Sequence, residues 1–248
     1  LLVHLTADPL IVLIALAFLL PWASIRASLR RTLYRALAWQ LRRRISRSTD
    51  TAVLAYVGAM ERVDTYPLVR DIRDVPAGRQ ITLVLDTRGG DASAGFQVMH
   101  ALAERGGRVA VVVMDECWSA GTIAALGADS IVMAPDANLG FCDTVLHHDP
   151  SSIYTNPVQL AAKSGEAIER IRAWHTLREH VALIAAARVA RGANLDDSIT
   201  LARSMTMPDS DHWHPIFIDE ARRLGLPVEI CLHTKRWHKL VHYTGWSR

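Results

Sequence analysis

The stretch ITLVLDTRGGDASAGFQVMHALAERGGRVAVVVMDECWSAGTIAALGADSIVMAP, residues 81–135, decides the fold. Its apolar, β-branched runs at 81–87 and 108–115 read as buried strands, since short continuous runs bounded by turn residues fit strands covered on both faces. Between them, 92–104 carries a helical pattern, and the small-residue segment 119–128 reads as a second helix before a further strand at 129–135. Strand–helix–strand alternation predicts an α/β fold, with a mainly parallel sheet and right-handed crossover helices. Working outward, TAVLAYVG (51–58) adds a strand on the N-terminal side. On the other side a helical pattern rich in Ala and Arg runs over 157–191 and ends at Gly192. Shorter helices are expected near 196–205 and 215–224, before a final strand, LPVEI, at 226–230. The basic, aromatic residues 232–248 are expected to form a loosely held tail. No internal repeat is visible.

The chain has 248 residues, 50% of them hydrophobic, which suffices for one core and not for two. Its three cysteines, Cys117, Cys142 and Cys231, are widely spaced and make neither a disulfide framework nor a CxxC metal pattern. Charge is unevenly placed. No acidic residue occurs between Asp8 and Asp50, where Arg26, Arg30, Arg31, Arg35, Arg42, Arg43, Arg44 and Arg47 fall. The net charge is +3, so the rest of the chain is mildly acidic. A nucleic-acid binder carries its positive charge on the folded domain, so no nucleic-acid partner is expected.

The arginines follow an uncharged run, PLIVLIALAFLLPWASI (9–25). As a helix this run rises about 26 Å, the lower limit for crossing a hydrocarbon core. A signal peptide carries its charge before the apolar run; here the charge comes after, which favours a retained anchor over a cleaved leader or a buried core helix. The arginine excess places the body of the protein in the cytoplasm. Leu29, Leu33, Leu37, Leu41 and Ile45 then repeat every four residues among the arginines. That pattern suits a helix lying on anionic membrane lipids, or an arm packed on a partner subunit. The expected organisation is an anchor at 1–25, a basic amphipathic connector at 26–49, a catalytic body at 50–231 and the tail at 232–248.

Three segments carry more than a plain scaffold requires. Asp86-Thr87-Arg88-Gly89-Gly90 ends a strand, and its paired glycines allow positive φ and let amide groups approach a ligand. Glu116-Cys117-Trp118-Ser119-Ala120-Gly121-Thr122 sets a serine at the C-terminal edge of the sheet, where α/β proteins bind ligands. Ser119 is a candidate nucleophile or a helix N-cap. Ala134–Gly140 is a turn-rich link. Cys117 reads as a buried structural thiol. His212 and His214 form an H-x-H without supporting ligands, so no metal site is expected.

Taken in order, LDTRGGDASAG (85–95), CWSAGTIAALGADSIVMAPDANLG (117–140) and DHWHPIFIDEARRLGLPVE (211–229) resemble the membrane-anchored serine dehydrogenase proteinase family. That family is grouped with signal peptide peptidase A and the Clp protease proteolytic subunit in the Clp/crotonase superfamily. Arg88 stands where the family's Thr-Pro-Gly-Gly has proline. The resemblance covers essentially the whole chain. It implies a serine peptidase of Clp/crotonase-like fold with Ser119 as nucleophile and the backbone amides of Gly90 and Ala120 as the oxyanion hole.

The base is implied less directly. Relatives use His with Asp in the Clp subunit, or Lys in signal peptide peptidase A. The Clp histidine would fall close to Cys142-Asp143, and His147 and His148 follow a few residues later. Lysine occurs only at 163, 235 and 239. Lys163 lies 44 residues beyond Ser119, among small and apolar neighbours that can lower an amine's pKa. An alignment through AIERIRAW (167–174) puts the family's lysine at Glu166, one turn later. Lys163 is the first candidate, His147 or His148 the second, and a site without a base the third. No cofactor is expected: there is no GxGxxG after a strand, and the chemistry needs neither metal nor nucleotide. The substrate would be a peptide or membrane protein, and the fold's relatives suggest a homo-oligomer. A catalytically inactive membrane scaffold of the same fold is the alternative. A crotonase-like acyl-CoA enzyme is disfavoured, because its chemistry does not call for Ser-Ala-Gly-Thr or an anchor.

Overall fold

The computed structural model describes residues 22–143, 167–206 and 212–245. Leu83, Val84, Leu85, Val111, Val112, Val113, Ile131 and Met133 are all buried, as strands covered on both faces must be. They lie in β2 (Ile81–Asp86), β3 (Val109–Val113) and β5 (Ser130–Met133), which pair in parallel. β1 (Ala52–Val57) and β7 (Val228–Ile230) flank them, giving a five-stranded parallel sheet in the order β1-β2-β3-β5-β7. The register runs from Ala52 opposite Ile81 to Val57 opposite Asp86, and from Ile81 opposite Val109 onward.

Three helices follow strands: α2 (Arg62–Asp74), α3 (Ala92–Ala103) and α4 (Ala120–Ala125). α2 contains Pro67 and was not expected from the sequence. α5 (Ala167–Ala190) packs on α3 and on α6 (Leu195–Thr206), and α7 (Ile218–Arg223) leads into β7. Residues 157–166 of the expected long helix lie outside the described residues.

At the C-terminal edge the strands do not simply stop. A parallel bridge joins Met60 to Gly90 and another joins Thr87 to Cys117. β4 (Glu116–Cys117) pairs in parallel with β6 (Asn138–Leu139), and Leu139 bridges antiparallel to Ile216. The chain thus builds a second short layer over the edge of the main sheet, in the same strand order. Ser119 leaves this layer directly after β4.

The two ends of the described chain depart from expectation. α1 (Trp22–Thr49) is one continuous helix. Its Leu29 and Leu33 are exposed, whereas Ala38 and Ile45 are buried and Leu41 packs on the core. The second half of the apolar stripe therefore covers the body, and the first half alone is free. The expected loose tail forms α8 (Thr234–Gly245), with Trp237 and Leu240 buried and contacts to α1 and β1. The reason lies in spacing: Trp237, Leu240 and Val241 share one helical face, which seals the apolar side of α1. Tyr34 of α1 meets the His242 and Tyr243 rings at 5.7 and 5.8 Å. No described helix is long and apolar enough to cross a membrane, and residues 1–21 lie outside the described part.

Candidate active site

Ser119 sits between β4 and α4 with φ +49° and ψ −113°. These are the angles of the first central residue of a type II′ turn, a position glycine usually fills. The Gly121 amide closes that turn by donating to the Trp118 carbonyl at 2.8 Å. Asp50 and Ser119 are the non-glycine residues with positive φ among the described residues. Holding a serine there costs about 1–3 kcal/mol. At this sharp strand-to-helix turn Ser119 is half-buried, and its side chain makes no capping bond. The N-cap role that the sequence allowed is therefore not exercised.

The paired-glycine bend packs against this turn. A Cβ on Gly89, at φ +93°, would lie 2.9 Å from both Ser119 Cβ and the Trp118 carbonyl oxygen. One on Gly90, at φ +144°, would lie 2.7 Å from the Met60 carbonyl oxygen. The Met60 amide donates to the Gly89 carbonyl at 2.8 Å, and the Asp91 amide donates to the Met60 carbonyl at 2.9 Å. The Gly90 amide between them has no acceptor among the described residues, and neither does the Ala120 amide. Two orphan N–H groups beside a serine hydroxyl can stabilise a tetrahedral oxyanion.

Threonines hold the parts in place. The Gly89 amide donates to Thr87 Oγ1 at 3.0 Å. Thr122 Oγ1 donates to the Cys117 carbonyl at 2.6 Å and accepts from the Gly140 amide at 3.3 Å. Trp118 Nε1 donates to Asn138 Oδ1, which ties the nucleophile turn to β6. Arg88 does not disturb the bend: its exposed guanidinium reaches outward to Glu116 Oε1 at 2.5 Å. Cys117 is fully buried, and burial pushes its thiol far above the ordinary value, as a structural role requires.

Lys163, His147 and His148 lie outside the described residues. His212 and His214 are described, and they turn to different carboxylates: His212 Nδ1 to Asp143 Oδ1 at 2.6 Å, His214 Nε2 to Glu220 Oε2 at 3.0 Å. The His212–Asp143 pair escaped the sequence reading, which weighed the histidines only as metal ligands. Its one sequence signal was Asp143 standing near the place of the Clp histidine.

Asp86, at the end of β2, is pushed up to about 6, first by burial and further by Asp115 and Glu116, against a hydrogen bond from the Glu116 amide. A carboxyl raised in the folded state contributes stability below its ordinary value of 3.8, and that stability is lost as pH rises through 6. Asp86→Asn is expected to flatten this fall. Urea unfolding at pH 8 should show a gain of about 1 kcal/mol, the full shift being discounted for solvent screening.

A model of the ClpP-like SDH-type serine proteinase family matches residues 8–244. The chain belongs to that family. Its curated relatives include two uncharacterized proteins of Methanocaldococcus jannaschii. MJ0137 is 27% identical over 181 residues, covering 67% of this chain and 59% of the relative. MJ1495 is 29% identical over 124 residues, covering 44% and 42%. The chain thus spans about half the length of these relatives. Among solved structures, the 1510-N membrane-bound stomatin-specific protease resembles it in a serine-to-alanine variant, with TM-score 0.54, 20% identity, and coverage of 76% of this chain and 82% of that one. A lysine-to-alanine variant of the same protease, in complex with a substrate peptide, gives TM-score 0.53 and 22% identity over 74% and 76%. At these identities the likeness is one of fold.

Proposed function

We propose that this family member is a membrane-anchored serine peptidase that hydrolyses peptide bonds through an acyl-enzyme on Ser119. The observation that carries the reading is the Ser119 backbone, held at positive φ with an uncapped side chain beside two amides that have no acceptor among the described residues. A structural serine gains nothing from such strain, whereas a nucleophile needs the exposure it gives.

In this reading Ser119 Oγ attacks the scissile carbonyl as the uncharged amine of Lys163 takes its proton. The Gly90 and Ala120 amides donate to the oxyanion. Collapse breaks the C–N bond, and the Lys163 ammonium returns the proton to the leaving amine. Water then releases the acyl group. The serine and lysine exchanged for alanine in the two 1510-N variants support this pairing.

Residues 9–25 form the anchor and the arginines keep the body on the cytoplasmic face. Leu29 and Leu33, exposed on the basic helix, are the side chains proposed to meet lipid. Leu183 and Val189, exposed on α5, support assembly with further copies of the chain. The substrate is a peptide or membrane protein.

Fluorophosphonate labelling of the full-length chain in detergent tests the proposal. Wild type should label and Ser119→Ala should not, while Lys163→Ala should slow labelling by about 100-fold or more. A folded wild type that stays unlabelled would leave the inactive scaffold as the better reading.

A further inference from the structure

The direction in which α1 meets the sheet is fixed at two points along it. Near its C-terminus, Ser46 Oγ donates to the Thr51 carbonyl at 2.5 Å, and Arg79 Nη2 donates to Ser46 Oγ at 3.3 Å. Thr51 Oγ1 in turn lies 3.3 Å from Thr82 Oγ1. Thr51 and Arg79 stand just before β1 and β2, so this end of α1 sits where the strands begin. Further up the helix, Tyr34 places its ring 5.8 Å from that of Tyr243. α8 ends two residues later at Gly245, where an added Cβ would lie 3.3 Å from Val57 Cγ1. Val57 closes β1 opposite Asp86, the last residue of β2. From Ser46 back to Tyr34 the helix rises about 18 Å. From Ala52 to Val57 the strand rises about 17 Å. α1 therefore runs antiparallel to β1, and Tyr34 stands level with the C-terminal edge of the sheet.

That edge carries the candidate site. Asp86 leads into the Gly89-Gly90 bend, Gly89 packs on Ser119, and the short β4–β6 layer covers the strand ends. Residues 22–33 of the continuous α1 project beyond the same edge, and residues 27–33 are all exposed. This free part is about 18 Å long. The chain thus enters the body from the side on which Ser119 lies. Had α1 run parallel to β1, the whole sheet would separate the site from residue 22.

We propose that the Ser119 edge of the sheet faces the bilayer, that the free half of α1 sets its height, and that the substrates are polypeptide segments cut close to the membrane from which they emerge. The inference rests on the peptidase and anchor readings above. An anchor over 9–25 hands the chain to α1 at the membrane surface, which leaves the end of β1 within about 18 Å of it. An extended chain spans about 3.5 Å per residue, so roughly five or six residues outside the bilayer bring a substrate to that level. The free half of α1 is then a spacer, and its length decides how near the membrane a cut can fall.

The test places the full-length chain in vesicles of phosphatidylcholine and phosphatidylglycerol, together with a single-span substrate. The substrate's unstructured tail, on the same face as the body, repeats a short peptide that the detergent-solubilised chain cleaves. The first copy is centred about eight residues from the bilayer and the last about thirty, and mass spectrometry of the released fragments gives the ratio of cuts. Wild type should cut the first copy at least as fast as the last. Inserting about five helical turns (~18 residues) after Leu29 lifts the body by about 27 Å and keeps its facing. The site then stands about 45 Å out, while the first copy reaches only about 28 Å. Its cutting should fall at least about tenfold relative to the last copy. Both copies share one tail, so a general loss of activity leaves the ratio unmoved. A ratio within twofold of wild type after the insertion would overturn the proposal, as an α1 lying flat on the lipid would give. So would a wild type that cuts the last copy alone, or one that leaves the anchored tail intact. A chain that labels at Ser119 and cuts free peptide with an unmoved ratio defeats this inference alone. One that cuts no peptide in detergent and takes no label defeats the peptidase reading itself.

Discussion

Gly89→Ala should slow fluorophosphonate labelling of Ser119 by about 100-fold while leaving the protein folded. Two causes add at this position. The residue sits at φ +93°, where an L side chain is strained, and the new methyl would meet Ser119 Cβ and the Trp118 carbonyl oxygen at 2.9 Å. Neither neighbour is the far end of a flexible chain. Relief therefore comes from moving the turn that aims the nucleophile, and a displacement on the order of 1 Å costs about two powers of ten in an aligned attack. Gly78→Ala is the control. It has a similar φ of +81° but no atom within 4 Å, so it should lower stability modestly and leave the labelling rate near that of wild type. Comparing labelling rates with urea midpoints for both variants separates lost alignment from lost stability.

Arg191→Ala should destabilise the fold by about 3–5 kcal/mol. The Arg191 side chain is 7% exposed and follows the end of α5. Its Nε donates to Asp129 Oδ1 at 2.9 Å, Nη1 to the Arg105 carbonyl at 2.6 Å, and Nη2 to the Gly107 carbonyl at 2.9 Å as well as to Asp129 Oδ2. One guanidinium thereby fastens the end of α5 to the links that lead into β3 and β5. Removing it leaves two carbonyls and a carboxylate to find water. Burial would raise the Asp129 carboxyl, but the Arg191 and Val109 hydrogen bonds outweigh it and hold it below the ordinary value. Stability from this group is present above the ordinary carboxyl range and lost as pH falls. Arg191→Lys should recover only part of the loss, since an ammonium cannot reproduce the planar fork. Urea unfolding at pH 7 reads both variants.

The parts of this architecture that were legible in the sequence share a physical cause. β2, β3 and β5 are buried on both faces, so their sequences are unbroken apolar runs and the parallel sheet could be read directly. Grouping Gly90 and Ala120 with Ser119 rested on the family resemblance alone, whereas the bend at Gly89-Gly90 and the small-residue turn after β4 were legible because glycine pairs and small residues mark where backbones must approach. The second layer of short strands was not. β4 and β6 are two residues each, too short for any period to show, and their partners are supplied by bridges at Met60, Thr87 and Ile216. α8 was misread because its basic residues set the composition while Trp237 and Leu240 set the packing. The His212–Asp143 pair was invisible for a different reason. The two residues lie 69 positions apart, and the pattern around each gives no hint of the other.

The measurement that bears most directly on the central claim is peptide mapping of the full-length chain after reaction with a fluorophosphonate. One adduct per chain, located on Ser119 and abolished by unfolding the protein first, is the predicted result. An adduct on another residue, or none on a protein whose circular dichroism is native, would contradict the assignment of Ser119 as nucleophile.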